Sequence, residues 1–443
     1  MTKINVMDLI KNREFREIHD ELKEMNPVDI AELLEDLDEK DRPLVFRMLD
    51  KERGAEVFSY MDDEERQELV KSFTDQEITY ILDSMYTDDA VDFLEEMPAN
   101  VVTRLLERVR TDTRRDVNML LKYPEDSAGS IMTVEYATLK KEMTVGEALD
   151  KIRTIGIHSE TIYTCYVVEN KKLLGLVTAK DLITHERDEK IIDLMLDQFV
   201  SIRTTDNRED AAKMFSKYGL IVIPVLDPDD LMVGIVTFDD AIDVLQEETT
   251  EDMQKMAAME FNEESYLKSS VFSQARHRIV WLLILMFSAS ITGAIITRYE
   301  EAFAVIPLLV SFIPMLMDTG GNCGSQSSTL IIRGLAIDEL NFSDAFQILW
   351  KEFRVAILVG ITLALANGLR IYLVYKNLNM AIVVALSLIA TIIVAKVVGS
   401  MLPLLAKKCK LDPAIMASPI ITTVVDTCSI IIYFKIATIL FKL

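Results

Sequence analysis

The sequence predicts a multidomain membrane protein with an α-helical superhelical N-terminal domain, an α/β pair of related modules and a five-helix transmembrane domain. Three observations predict this fold class. The first 270 residues carry a formal charge of −29 and the rest of the chain carries +5, so an acidic part precedes an apolar one. A 12-residue apolar repeat fills most of the first hundred residues, and five long hydrophobic stretches fill the last part. This division excludes a purely soluble protein, and the acidic balance excludes a nucleic-acid binder that relies on a basic surface.

Residues 1–128 are predicted to form the acidic helical domain, because apolar residues recur there with a period of 12. The apolar positions of each repeat have the i, i+1, i+4 spacing of a short helix. Such units cannot bury a core singly, so we expect them to stack into a superhelix; an ordinary helical bundle is the alternative interpretation. The three apolar registers are Leu37, Leu49, Met61, Phe73, Met85 and Met97; Leu34, Phe46, Phe58, Val70, Leu82 and Leu94; and Leu33, Val45, Val57, Leu69, Ile81 and Phe93.

Residues 129–245 contain a duplicated pattern of strand, turn, strand and helix start, and they resemble a tandem pair of CBS modules. In both copies the sequence Gly-Φ-Val-Thr-x-x-Asp leads from a strand into a helix. A Thr and an Asp so placed can cap the helix, or they can bind the ribose hydroxyls of an adenine nucleotide. Both interpretations stay open. The repeated positions are Gly175, Thr178 and Asp181 in the first copy and Gly234, Thr237 and Asp240 in the second.

Residues 246–275 are predicted to form a connecting helix, since they are highly charged and contain neither Gly nor Pro. Residues 276–443 are predicted to form the transmembrane domain, because each of their five hydrophobic stretches can cross about 30 Å of hydrocarbon as a helix. Basic residues cluster before the first stretch, after the second and after the fourth, which predicts a cytoplasmic N-terminus and an outside C-terminus. The stretches lie near residues 279–297, 303–335, 355–375, 380–406 and 414–441.

Asp426 lies in the middle of the fifth stretch, where an ionised carboxylate is costly unless it lines a water-filled path or meets a cation. Ser418 and Thr422 precede it at steps of four residues, so oxygen atoms share its face of the helix. Oxygen ligands suit a hard, hydrated divalent cation; a protonated Asp426 that bonds a neighbouring helix is the alternative. Asp318-Thr319-Gly320 in the second stretch imitates the aspartic-protease triplet, but its hydrophobic helical flanks speak against an intramembrane hydrolase.

The segments GGNCGSQSSTLIIRGLA and LDPAIMASPIITTVVD, together with the domain order, resemble the MgtE family of magnesium channels over essentially the whole chain. The resemblance implies a homodimer with a pore between the second and fifth spans and a connecting helix that acts as a plug. It implies Mg²⁺ as both substrate and regulator. The Thr–Asp pairs of the CBS modules make an adenine nucleotide such as ATP a candidate cofactor. The implied metal ligands are Asp426 for selectivity, Asp412 at the cytoplasmic end of the span, Glu251 and Asp252 near the gate, and Asp88, Asp92, Asp240 and Asp243 for regulation.

The charge of the cytoplasmic part supports this regulation independently. Asp88, Asp89 and Asp92 lie on one short helix with Glu95 and Glu96. Facing carboxylates repel one another until divalent cations neutralise them. A solvated acidic surface is the alternative interpretation.

We therefore expect a homodimeric, multi-pass channel in the lipid of the cell membrane that takes up Mg²⁺ passively and is closed by intracellular Mg²⁺. We expect neither an enzymatic activity nor a nucleic-acid partner. The alternatives are a carrier or channel for another divalent cation, such as Co²⁺ or Mn²⁺, and a membrane-tethered adenylate sensor.

Overall fold

The computed structural model describes residues 9–442 apart from residues 11, 13, 263–265, 268, 300–304 and 417; the side chains of Asp63 and Ser418 also lie outside the described part. The chain divides into two compact units, Met1–Leu245 and Gln246–Leu443.

The first unit begins with short helices that stack along the chain. From α4 to α9 the helices begin 12 residues apart, which confirms the period of the repeat. α2 contacts α4, α4 contacts α6 and α6 contacts α8, so each of these helices packs on the second next, as in a stacked array. The register from Leu33 to Phe93 is buried throughout. The helices are α1 (Phe15–Glu24), α2 (Pro27–Glu35), α3 (Arg42–Phe46), α4 (Lys51–Ser59), α5 (Asp63–Ser72), α6 (Asp75–Leu82), α7 (Thr87–Glu95), α8 (Ala99–Leu106) and α9 (Thr111–Leu120).

Two related α/β modules complete the first unit. Each has a three-stranded sheet whose first two strands are parallel and whose last two are antiparallel. The glycine of each repeated motif gives room to a crossing segment, since a Cβ atom on Gly234 would lie 2.8 Å from the Thr133 carbonyl oxygen. The first module comprises β1 (Tyr136–Leu139), α10 (Val145–Ile155), β2 (Thr161–Glu169), β3 (Lys172–Thr178) and α11 (Ala179–Thr184). After the short α12 (Ile191–Leu194), the second comprises β4 (Ile202–Arg203), α13 (Arg208–Tyr218), β5 (Val222–Leu226), β6 (Met232–Thr237) and α14 (Phe238–Met256).

The predicted connecting helix over 246–275 needs correction, because α14 ends at Met256 and the next long helix begins at Val271. Ala258 has a positive φ of 53°, which the α-helix does not allow. The Gln254 side chain stabilises the segment after this helix end by forming two hydrogen bonds of 2.9 Å with the backbone of Asn262. Neither Gly nor Pro marks this helix end, so the sequence pattern does not reveal it.

The second unit is built from long helices, and each of the five predicted hydrophobic stretches overlaps one of them. In the described part of the chain, four segments are long and apolar enough to cross a membrane: Val271–Arg298, Phe342–Tyr375, Leu378–Lys408 and Pro413–Phe441. The remaining helix, α16, has 24 residues, but a polar segment interrupts its apolar character. The helices are α15 (Val271–Arg298), α16 (Ile313–Ala336), α17 (Ala345–Tyr375), α18 (Leu378–Lys408) and α19 (Ser418–Phe441).

One face of α16 is packed inside this unit against α18 and α19. Gly324 lies at the contact, where an added Cβ atom would come 2.7 Å from Cγ2 of Ile421. Ser327 and Ser328 on the same face are also buried. Small residues allow this close approach, which is the usual way in which membrane helices associate.

Candidate functional site

The other face of α16 is polar and exposed in the single chain. Asp318, Asn322, Gln326 and Thr329 follow one another at steps of four, four and three residues, so they share one side of the helix, and all four are exposed. We call these four residues the polar stripe of α16. Polar groups that face lipid without a partner cost several kcal/mol each. The stripe therefore needs water or a second chain beside it.

Asp426 lies about a third of the way along α19, half-buried beside the fully buried Val425. Asp318 of the polar stripe is within electrostatic range of Asp426. The fold thus brings together two acids that are more than a hundred residues apart in the sequence. In the sequence, Asp318 stands out only as the first residue of the protease-like triplet. No sequence pattern indicates that Asp318 lies near Asp426.

The hydroxyl groups near Asp426 bond first to their own helix. Thr422 and Thr423 donate to the Pro419 carbonyl oxygen at 2.9 and 3.0 Å, and Ser429 donates to the Val425 carbonyl oxygen at 2.6 Å. A hydroxyl oxygen that donates its proton still has lone pairs for accepting. The predicted oxygen-lined face therefore persists at Thr422, whereas the side chain of Ser418 lies outside the described residues.

Asp412 and Glu251, two of the predicted metal ligands, meet at Lys255. The Lys255 ammonium lies 2.7 Å from Oδ2 of Asp412 and 2.6 Å from Oε1 of Glu251. The other oxygen of Asp412 accepts the Ala414 N–H at 2.8 Å. Burial lowers the pKa of Lys255, but the hydrogen bonds to both acids raise it further, and the net shift is upward. Asp252, the neighbour of Glu251 on α14, is half-buried.

Five acids of the first unit, Asp88, Asp89, Glu160, Asp239 and Asp240, act on one another electrostatically; we call them the acidic cluster. They come from α7, from the segment before β2 and from the first turn of α14. Asp88 and Asp240 are among the ligands that the sequence predicts, whereas no sequence pattern points to Glu160 or Asp239.

The charge of this cluster alters the acidity of its members. Burial, followed by the charges of Asp240 and Asp89, raises the pKa of Glu160 to about 8. Burial and the carboxylates around it likewise raise the pKa of Asp88 well above its usual range. The pKa of Asp240 rises to about 6, mainly through burial, although a hydrogen bond from Thr237 opposes the shift. Ionised carboxylates in this arrangement are unstable without a cation.

Asp92 and Asp243, the two remaining predicted regulatory ligands, have exposed side chains but border the acidic cluster. Desolvation of its carboxylate, followed by the charges of Asp89 and Asp240, raises the pKa of Asp92 to about 7. Desolvation and the charge of Asp239 raise the pKa of Asp243.

A separate trio of acids brings its carboxylate oxygens within 4.8 Å of one another: Glu35, Asp62 and Glu65. Glu35 is the last residue of α2, Asp62 directly precedes α5 and Glu65 lies in the first turn of α5. No sequence pattern points to these three residues.

Both Thr–Asp pairs of the modules form helix caps. Thr178 donates to Oδ2 of Asp181 at 2.5 Å, and the Asp181 N–H donates back to the Thr178 hydroxyl at 3.2 Å. Thr237 donates to Asp240 in the same way. The caps use Oδ2 of each carboxylate, so Oδ1 can accept a ribose hydroxyl, and the half-buried Asp181 fits a nucleotide. Asp240 fits the polyphosphate of a nucleotide less well, because it lies in the acidic cluster.

The chain is similar to known proteins over nearly its whole length. Residues 313–436 match the MgtE family, described as divalent cation transporters, residues 25–126 match the MgtE intracellular N domain, and residues 128–188 and 191–247 match the CBS domain. The magnesium transporter MgtE of Thermus thermophilus is 34% identical over 444 residues, which cover 99% of this chain and 98% of the relative. The magnesium transporter MgtE of Bacillus subtilis is 31% identical and covers 98% and 96%.

Two solved structures resemble part of the chain. The cytosolic domain of the Mg²⁺ channel MgtE in complex with ATP is 32% identical with a TM-score of 0.53, and the match covers 55% of this chain and 99% of that domain. The soluble part of a magnesium transporter is 29% identical with a TM-score of 0.53 and covers 56% and 98%.

Proposed function

This chain belongs to the MgtE family of magnesium transporters, and we propose that it conducts Mg²⁺ as a channel whose path is lined by α16 and α19. The polar stripe of α16 carries this proposal. A helix within the membrane that exposes an acid, two amides and a hydroxyl on one side cannot face lipid there. Such a face lines a water-filled path, which is what a hydrated cation requires.

We propose that a second copy of the chain completes this path, with the two α16 helices on either side of a two-fold axis. A single chain covers only the small-residue face of α16 and leaves the polar stripe open. A homodimer with closed symmetry places the same stripe on both walls. The surfaces of α15 and α17 that are apolar and exposed in the single chain then face membrane lipid.

Asp426 and Asp318 are the selectivity acids in this proposal. Two carboxylates from each chain produce a strong negative potential at the path, and their oxygens hold Mg²⁺ through its water shell. Asp412 and Glu251 are the acids at the cytoplasmic mouth. The basic flanks of the spans support the predicted orientation in the cell membrane, with a cytoplasmic N-terminus and an outside C-terminus.

We propose that intracellular Mg²⁺ closes the channel by binding to the acidic cluster, with Asp92 and Asp243 as outer ligands. Binding compacts the first unit because it removes repulsion among carboxylates that are already close. α14 transmits this change, since it begins with Asp239 and Asp240 and continues to Glu251, Asp252 and Lys255.

We also propose that an adenine nucleotide binds at the module pair, with its ribose on Asp181. The similar ATP-bound domain supports this. Calorimetry with ATP on the full chain should give a binding signal that Asp181→Ala weakens about tenfold, since a hydrogen bond to a charged group contributes roughly 1.5–3 kcal/mol. Asp240→Ala is the matched variant, and an equal loss there would assign the nucleotide to both copies.

Transport into liposomes that contain only this protein tests the proposed function. Mg²⁺ should enter without a proton or sodium gradient, and Asp426→Ala should abolish the selective flux while the dimer persists in detergent. Undiminished, selective flux in a folded Asp426→Ala variant would refute the assigned path. Uptake of Co²⁺ or Mn²⁺ in preference to Mg²⁺ would retain the path and change the substrate.

A further inference from the structure

Three polar side chains meet inside the second unit. Lys396 of α18 donates to Oγ of Ser327 at 3.1 Å and to Oε2 of Glu352 at 3.4 Å. Ser327 donates to the same Glu352 oxygen at 2.6 Å, so the three groups form a closed arrangement that joins α16, α17 and α18. The exposed fractions are 5% for Lys396, 9% for Glu352 and 1% for Ser327. We call these residues the buried triad.

Stability alone does not account for the buried triad. A charged side chain deep in a membrane helix costs a few kcal/mol, and replacement of a buried ion pair by apolar residues is often neutral or stabilising. The ammonium and the carboxylate in this position therefore indicate that the relative orientation of the helices matters, because hydrogen bonds are directional and apolar contacts are not.

The triad bonds α16 to its neighbours beside its closest contact with α18. Gly324 of α16 and Gly399 of α18 approach so closely that a Cβ atom on Gly399 has no room. Small residues allow this close approach, and Ser327 adds directional hydrogen bonds to it. Ser327 follows directly after Gln326 of the polar stripe, and one residue corresponds to about 100° of rotation on a helix. A bond at Ser327 thus determines where Gln326 points.

We propose that Lys396 is a positioning residue for the ion path. With Glu352 as its counter-charge, it holds α16 through Ser327 in the rotation that directs the polar stripe at the passing cation. This inference rests on the proposed function, because it assumes that the stripe faces water.

The first test removes only the link to α16. Ser327→Ala leaves the Glu352–Lys396 pair in place, and Ser387→Ala is the matched control, since Ser387 is equally buried on α18 and donates to a backbone carbonyl oxygen outside the triad. Ser327→Ala should lower the preference for Mg²⁺ over Ca²⁺ about fivefold in proteoliposomes, the effect of losing one oriented hydrogen bond. Ser387→Ala should leave the preference unchanged.

The second test measures the rotation of α16 directly. Gln326→Cys and, as a reference for the buried face, Ser328→Cys are labelled with a charged thiol reagent in full-length protein in liposomes. Peptide mass spectrometry identifies the labelled site, so the native cysteines can remain. Position 326 should react and position 328 should not. In the Glu352→Gln, Lys396→Met background the ratio of the two rates should fall about tenfold, since displacement of a positioned group costs one to two orders of magnitude.

The outcomes separate the two proposals. If Gln326→Cys does not react in the otherwise native chain, the polar stripe does not face water and the proposed function fails. If it reacts, but Ser327→Ala and the double variant keep the parent's labelling ratio and ion preference, the positioning role is overturned. If the double variant does not fold, Ser327→Ala against Ser387→Ala decides the question alone.

Discussion

The buried triad and the acidic cluster place carboxylates in opposite electrostatic surroundings: beside a lysine in the triad and beside other acids in the cluster. In the triad the chain provides its own cation, Lys396, and Glu352 is neutralised whatever the solution contains. In the cluster five acids act on one another, and the pKa of Glu160 rises to about 8 because of burial and its acidic neighbours. Arg66 opposes part of this effect at Asp89. The comparison teaches that a carboxylate paired with a lysine within the chain links helices, whereas carboxylates that face one another keep a repulsion that only a proton or an added cation can remove.

The largest expected effect comes from removal of the cluster's charge. The triple variant Asp88→Asn, Glu160→Gln, Asp240→Asn should protect the first unit from protease without magnesium, because the repulsion that opens the unit is gone. Protection should therefore no longer depend on Mg²⁺, or the Mg²⁺ concentration for half-protection should shift by more than about tenfold, equivalent to about 1.4 kcal/mol.

The matched control for this variant is Asp20→Asn, Glu24→Gln, Asp29→Asn, which removes the same number of charges from exposed acids of α1 and α2. We expect a shift of about threefold or less, since exposed charges are screened by water and salt. An equal shift in both variants would mean that the total negative charge, and not the cluster, senses magnesium.

The next prediction concerns pH. An acid whose pKa is higher in the folded state than in the unfolded state favours folding when it is protonated. This contribution is present at low pH and is lost as the pH rises through the folded pKa values, about 6 for Asp240 and about 8 for Glu160. Hydrogen exchange in α7 of the full chain, corrected for intrinsic rates, should therefore accelerate between pH 5 and pH 8 without Mg²⁺.

Millimolar Mg²⁺ should flatten this pH dependence, because the cation takes the place of the protons. An α7 that exchanges at the same corrected rate from pH 5 to pH 8 without Mg²⁺ would contradict the raised pKa values of the cluster.

The smallest expected effect lies at Lys255, which pairs with acids as Lys396 does but in a less buried place. Lys255→Met should speed hydrogen exchange in residues 253–262 about fivefold, since a partly exposed pair contributes roughly 1 kcal/mol. Lys213→Met is a suitable control, because Lys213 forms an ion pair with Glu209 on a different helix. Exchange in 253–262 that is as slow in Lys255→Met as in the parent would assign the stability of this segment to the Gln254–Asn262 bonds alone.

Much of this fold was predictable because its signals are local and periodic. The 12-residue registers place Leu33 to Phe93 in the core, and the repeated Thr–Asp pairs lead into helices, as the sequence analysis expected. The domain boundaries and the roles of the predicted metal ligands stay predictions.

The rest depends on contacts between distant residues. Glu160 joins Asp88 across more than seventy positions, so no spacing rule connects them. The end of α14 at Met256 is determined by side-chain amide bonds and not by Gly or Pro. Lys396 lies within an apolar run, where hydropathy alone treats it as a minor interruption, and only its partners on α16 and α17 show why the chain retains it.

The stacked helices that carry Asp88 have a mechanical consequence. Each helix of the array touches mainly its near neighbours, so a small tilt at every junction adds up to a large displacement at the end, while no single contact is strained much. The compliances of joints in series add, so the whole array bends more easily than any single junction. In the proposed regulation, a cation at α7 would therefore need only a small force to displace the end of the array, and the array would return when the ion leaves.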